Sequence, residues 1–164
     1  MPLSKEETTL ILGAGVLAAA YFGIVKPITN KLGLTQSQKD RAIEQIAEVA
    51  SANQGWNPTF YRTYIDSHNG ISLIKTSASV TAMAKQIYNA WGLVNDDVQK
   101  IYAVFRQLNS QVDLSWLCAT YNKLYKEDLL TRLKAPWYYL HDGLTDSEFA
   151  EVSKIVNALP VNKS

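Results

Sequence analysis

Six acidic residues are the side chains of this sequence best suited to acid–base chemistry. They are Glu44, Glu48, Asp66, Glu127, Asp128 and Asp142. A glycan hydrolase needs two carboxyl groups at a defined separation across a cleft. His141-Asp142, which stands among aromatic residues, is the best local feature for such a site. Isolated acids on helices are usually surface residues. The pattern therefore favours a non-enzymatic protein, with a peptidoglycan-acting lytic enzyme as the alternative.

Other residue types offer little for a metal or cofactor. The two histidines stand far apart, and Cys118 lies in an apolar helical context that predicts a small buried side chain. Residues 13–18 match the dinucleotide fingerprint G-x-G-x-x-A. That fingerprint requires a strand–helix–strand unit with an acidic residue about 20 positions on, whereas Pro27 and Lys31 follow here. We therefore expect no cofactor and no metal.

Residues 8–25 are the longest uncharged apolar stretch. As a helix they would extend about 27 Å, close to the roughly 30 Å of a bilayer's hydrocarbon core. Their strongly apolar side chains favour insertion by about 2 to 5 kcal/mol. These side chains are Leu10, Ile11, Leu12, Val16, Leu17, Phe22, Ile24 and Val25. The stretch predicts a single membrane-spanning helix over residues 8–26, with the lipid bilayer as a partner and a membrane as the location.

Two other structures for residues 8–25 stay open. The stretch is short enough to be a buried core helix. A secretory signal peptide is the other alternative, although Glu6 and Glu7 beside Lys5 leave no clearly basic region before the apolar run.

Small residues recur at every fourth position of the same stretch, at Gly15, Ala19 and Gly23. This spacing places them on one helix face and would let two membrane helices approach closely. It suggests a homo-oligomer formed through the membrane helix. Small residues are also common in membrane helices generally, and that is the simpler interpretation.

The remainder of the chain has apolar residues at helical spacing and no sustained period of two. The sequence therefore predicts an all-α protein, in which a single transmembrane helix precedes a compact multi-helix domain. A net charge of +1 gives no electrostatic reason to expect nucleic acid. The predicted organisation is a polar tail 1–7, the membrane helix 8–26, a juxtamembrane linker 27–34, a helical region with an aromatic segment 35–76, a helical domain 77–160 and a tail 161–164.

Helix start signals recur along the chain, because Ser, Thr, Asp and Asn can cap the first free N–H groups of a helix. Asn57-Pro58 predicts the start of a short helix over residues 59–66. The other predicted starts are Thr35 with Gln38, Ser77 or Ser79, residues 95–97, Ser110 with Asp113, Glu127-Asp128, and a capping box formed by Thr145 and Glu148.

Aromatic residues concentrate in two segments, residues 56–64 and 137–141. Tyrosine and tryptophan are enriched at the cores of protein interfaces. We therefore interpret seven of them as candidate contacts with a protein partner, and their packing in the domain core is the alternative. They are Trp56, Phe60, Tyr61, Tyr64, Trp137, Tyr138 and Tyr139.

Residues 82–159 resemble a single annexin-type repeat. The resemblance is carried by Ala84, Ile87 and Ala90-Trp91-Gly92, by Asn95-Asp96-Asp97 at a helix start, and by Tyr121, Tyr125, Asp128-Leu129 and Leu133-Lys134. It implies a compact five-helix domain. Calcium binding is not implied, because the annexin loop G-x-G-T reads Gly92-Leu93-Val94-Asn95 here and no acid stands beside Pro136. Peripheral lipid binding without a membrane span is a further alternative.

The layout as a whole is similar to small uncharacterised bacteriophage and prophage proteins. These combine an N-terminal hydrophobic helix, an N-P-x-[FY]-[YW] segment like residues 57–61 and an annexin-like helical end. The resemblance implies a membrane-associated virion component that links an internal membrane to the capsid, with capsid or vertex proteins as partners.

Overall fold

The computed structural model describes residues 41, 44, 47–50, 52–68, 73, 75–91, 96–134 and 143–162. The chain divides into two compact units, Met1–Ala52 and Asn53–Ser164. In the first unit, the described residues are helical. The predicted membrane helix 8–26, its small-residue face and the linker 27–34 lie outside the described residues. Within the described part of the chain, no helix is both long and apolar enough to cross a bilayer.

In the described residues of the second unit, every regular element is a helix, and turns and loops connect them without a strand. The prediction of an all-α protein is confirmed for these residues. The elements are a 3-10 turn Gln54–Trp56 and six helices: α1 Phe60–Ser67, α2 Ser77–Ala90, α3 Val98–Arg106, α4 Gln111–Tyr125, α5 Leu129–Leu133 and α6 Asp146–Asn157.

Most helix starts follow the predicted caps. The side chains of Asp97, Ser110 and Asp128 each accept a hydrogen bond from the backbone N–H three residues on. The Thr145–Glu148 capping box is confirmed in full, since Thr145 N–H also donates to Glu148 Oε2 at 2.8 Å. These bonds satisfy N–H groups that have no partner inside the helix.

Two predicted starts are wrong in position. Helix α2 is capped by Thr76, whose hydroxyl accepts from Ser79 N–H at 3.1 Å, and not by Ser77 or Ser79 themselves. Helix α1 begins at Phe60, because Asn57 forms a tight turn before it. The Asn57 side chain accepts from both the N–H and the hydroxyl of Thr59, at 2.9 and 2.8 Å.

Helix α4 is the central element of the second unit. It packs against α1, α2, α5 and the 3-10 turn, while α3 packs against α2 and α6. A helix in contact with neighbours on most sides must be apolar on most sides. The fully buried side chains of α4 include Leu114, Leu117 and Tyr121. The core around it is completed by Val80, Ile87, Ile101, Val104, Phe105, Leu129, Leu133 and Val152.

The end of the described chain is attached to the start of α4. Gln111 N–H donates to the Pro160 carbonyl at 2.9 Å, and Val112 N–H donates to the Val161 carbonyl at 3.3 Å. The first N–H groups of a helix need partners from outside it. The predicted tail 161–164 therefore begins with a residue whose backbone is bonded to the domain.

Lys126, which follows α4, has a left-handed backbone with φ 59°. This conformation costs a residue with a Cβ roughly 1 to 2 kcal/mol. We expect Lys126→Gly to raise the free energy of unfolding by about 0.5 to 1 kcal/mol. The matched control is Lys123→Gly inside α4, which should lower it by about 1 kcal/mol. Urea unfolding of both variants measures the difference, and a loss of stability in both would contradict the prediction.

Candidate functional site

Trp56, the first of the predicted contact residues, lies in the core with 4% of its surface exposed. Its ring centroid is 5.9 Å from that of Phe105 and 6.4 Å from that of Phe149. The 3-10 turn that carries it is held by Asn53. The Asn53 side chain accepts from Gly55 N–H at 2.8 Å and donates to the Val156 carbonyl at 3.2 Å. Burial favours the alternative interpretation of Trp56, as a core residue.

Phe60, Tyr61 and Tyr64 lie on α1, which has no buried residue. All three are half-buried. Phe60 and Tyr64 follow one helix ridge, with ring centroids 5.7 Å apart, and the Tyr64 ring stacks on the exposed His68 at 4.0 Å. On the side of α1 nearer α4, Tyr61 stacks on the half-buried Trp116 at 6.1 Å. We call these five residues the aromatic surface.

Ser115 attaches the aromatic surface to the core. It is fully buried in α4, and its hydroxyl accepts from Tyr61 N–H at 2.9 Å and donates to the Asn57 carbonyl at 2.5 Å. The sequence interpretation overlooked Ser115. Its signal was available, because Ser115 is three residues from both Val112 and Cys118 and so falls on the apolar face of its helix. A polar residue on that face must find a partner.

The Tyr61 side chain is also held at its polar end. Arg62 Nε donates to the Tyr61 hydroxyl at 2.8 Å, and the Arg62 guanidinium lies 5.5 Å from the centre of the same ring. The aromatic surface thus combines partly exposed ring faces with polar groups at their edges. Side chains of this kind supply large apolar contact areas together with hydrogen bonds at protein interfaces.

The candidate acids occupy different elements. Glu44 and Glu48 are exposed helical residues of the first unit. Asp66 is exposed on α1, Glu127 is half-buried between α4 and α5, and Asp128 is buried. His141 and Asp142 lie outside the described residues, as do Trp137, Tyr138 and Tyr139. In the part of the chain that the structure describes, no three His, Cys, Asp or Glu side chains form a group that could hold a metal ion.

Asp128 is the acid whose environment is most unusual for a carboxylate. Burial raises its pKa above the ordinary value, and hydrogen bonds from Thr131 oppose that rise. Asp128 Oδ1 accepts from the N–H and the hydroxyl of Thr131, at 2.8 and 2.9 Å. The carboxylate therefore acts as the N-cap of α5, and this structural role accounts for its position.

Replacing Asp128 separates its charge from its capping role. Asn also caps well, so Asp128→Asn should stay within about 1 kcal/mol of the wild type at neutral pH, whereas Asp128→Ala should lose about 1 to 2 kcal/mol. The pKa of Asp128 is higher in the folded state than in the unfolded state, so protonation of its carboxyl stabilises the fold. This contribution is fully present below the unfolded-state pKa of about 3.8. It is lost as the pH rises through the folded pKa. In urea unfolding from pH 3 to 7, this contribution to the free energy of unfolding should fall as the pH rises in the wild type. The slope should be weaker in Asp128→Asn. Equal slopes would contradict the prediction.

A second cluster, which is partly buried, joins the C-terminal ends of α2 and α4 to α5. The Arg132 guanidinium, in a residue only 6% exposed, lies 4.1 Å from the centre of the Trp91 ring. Two buried donors, Trp91 Nε1 and the Tyr121 hydroxyl, have no hydrogen-bond partner among the residues that the structure describes. Burial and the Glu127 charge raise the pKa of Tyr121, against the lowering effect of Arg132. The sequence interpretation singled out neither Arg132 nor its stacking on Trp91.

Cys118 is a buried free thiol, as the sequence predicted. Burial, assisted by the Asp128 charge, raises the pKa of the thiol well above its ordinary value. The reactive form of cysteine is the thiolate. Cys118 is therefore an unreactive core residue at neutral pH.

An open cleft with a volume of about 510 Å³ lies between the end of α2 and the start of α3. Asp97, one of its lining residues, is already engaged. Lys100 Nζ lies 2.7 Å from Asp97 Oδ2, and the hydrogen bonds from Lys100 lower the pKa of the Asp97 carboxyl. Residues 92–95, which the annexin resemblance compares with the annexin loop, lie outside the described residues.

No protein family, curated protein or solved structure matches this chain.

Proposed function

We propose that this chain is a non-enzymatic, membrane-anchored structural protein whose helical domain binds another protein through the aromatic surface. The observation that carries this proposal is the composition of α1. None of the residues of this helix is buried, and three of them are large aromatic residues that stay partly exposed: Phe60, Tyr61 and Tyr64. Partly exposed large aromatics grouped on one element are typical of contact surfaces.

The way in which the aromatic surface is held supports the same proposal. Tyr61 is stacked on Trp116 and bonded to Arg62, and its backbone is bonded to the buried Ser115. A side chain that is already ordered loses less conformational entropy when a partner binds. Aromatic residues that are rigid before binding therefore make efficient anchors.

A photocrosslinking experiment tests the partner contact. A benzophenone amino acid replaces Phe60 in the full chain, in the cells or particles that normally contain it. The control places the same group at Lys154, an exposed residue of α6. We expect a discrete protein adduct from position 60 alone, and we expect Tyr64→Ala to reduce its yield. Equal labelling from both positions, or no adduct from position 60, would contradict the proposal.

The proposal has two further parts: that the helical domain is annexin-like, and that the protein belongs to a virion. In the described part of residues 77–157, helices α2 to α6 follow one another, and their number agrees with a five-helix repeat. The setting we propose is a virion with an internal membrane, where the domain contacts capsid or vertex proteins and the membrane helix supports a homo-oligomer. Purified particles that lack the chain would argue against this setting.

Introducing one charged residue into the predicted membrane helix tests whether that helix anchors the protein. An arginine near the centre of a membrane helix costs about 2.5 to 3.5 kcal/mol, which offsets most of the insertion free energy expected for residues 8–25. We expect the full chain to resist carbonate extraction from membranes and the variant Leu17→Arg to be extracted. Ala82→Arg, at an exposed position of α2, should resist like the wild type. Extraction of the wild type itself would favour a buried or interfacial helix.

A further inference from the structure

We draw no further inference here: the strongest candidate, the cluster of Trp91, Tyr121 and Arg132 where the C-terminal ends of α2 and α4 meet α5, carries nothing, because nothing in the described part of the structure distinguishes a ligand from a bound water as the partner of Trp91 Nε1 and the Tyr121 hydroxyl.

Discussion

Replacing Trp56 with alanine is expected to lower the free energy of unfolding by about 3 to 5 kcal/mol, the usual cost of removing a large aromatic side chain from a packed core. Trp56 is 4% exposed and packs between Phe105 and Phe149. Its removal would leave a cavity bordered by α3 and α6. These helices also pack directly against each other, which fixes their separation, so the cavity should close only partly.

Phe60→Ala is the control, because both residues are aromatic members of the predicted contact set and they differ in burial. Phe60 is half-buried on α1, so its truncation should cost only about 1 kcal/mol. Urea unfolding followed by circular dichroism measures both values. A similar loss of unfolding free energy in the two variants would contradict the assignment of Trp56 to the core and of Phe60 to the aromatic surface.

The pair of variants also separates folding from partner binding. If the proposed surface is correct, Phe60→Ala should weaken the partner complex while the domain stays folded. Trp56→Ala should affect binding only in proportion to the fraction of the domain that unfolds. Comparing binding at a temperature where both variants remain folded makes this distinction.

Gly55→Ala should lower the free energy of unfolding by about 2 to 4 kcal/mol, at or above the usual range for overpacking. A Cβ at this position would lie 2.8 Å from Leu114 Cδ2, 2.9 Å from Asn53 Oδ1 and 3.0 Å from the Gln111 carbonyl oxygen. The Leu114 side chain could move slightly, but Leu114 is fully buried. The Gln111 carbonyl belongs to the backbone of α4 and cannot retreat without moving the helix.

Gln54→Ala is the control for the Gly55 variant. Gln54 lies in the same 3-10 turn but is exposed. Its replacement should change the free energy of unfolding by no more than about 0.5 kcal/mol. Denaturant midpoints of the two variants and the wild type are compared under identical conditions. A Gly55→Ala protein as stable as the wild type would show that α4 and the turn are packed less closely than the structure indicates.

The helix starts were predictable because each depends on residues that are near one another in the sequence. A cap such as Asp97 or Thr145 bonds to an N–H three residues away, so the evidence for it lies within one turn of helix. The same reasoning misplaced the start of α1. Asn57 can cap a helix or close a turn with Thr59 using the same oxygen, and the pattern of residue types does not distinguish these outcomes.

Three of the five members of the aromatic surface, Phe60, Tyr61 and Tyr64, could be named from the sequence, whereas His68 and Trp116 could not. The separate roles of the named residues were not predictable either. Trp56, Phe60, Tyr61 and Tyr64 looked equivalent, as aromatic residues of one segment. Burial separates them, and burial depends on which distant elements pack over each side chain. Trp56 meets Phe105 and Phe149, whereas α1 packs against α4 and the 3-10 turn and has no buried residue.

Local sequence alone thus determined that the described part of this chain is helical, and it placed most of the helix starts, because those features depend on periodicity and on hydrogen bonds within one turn. Only the tertiary structure decided that Asp128 is a buried cap, that Ser115 holds α1 and that Arg132 stacks on Trp91. The Ser115 and Arg132 contacts join residues more than 40 positions apart. The burial of Asp128 depends in the same way on the helices packed around it.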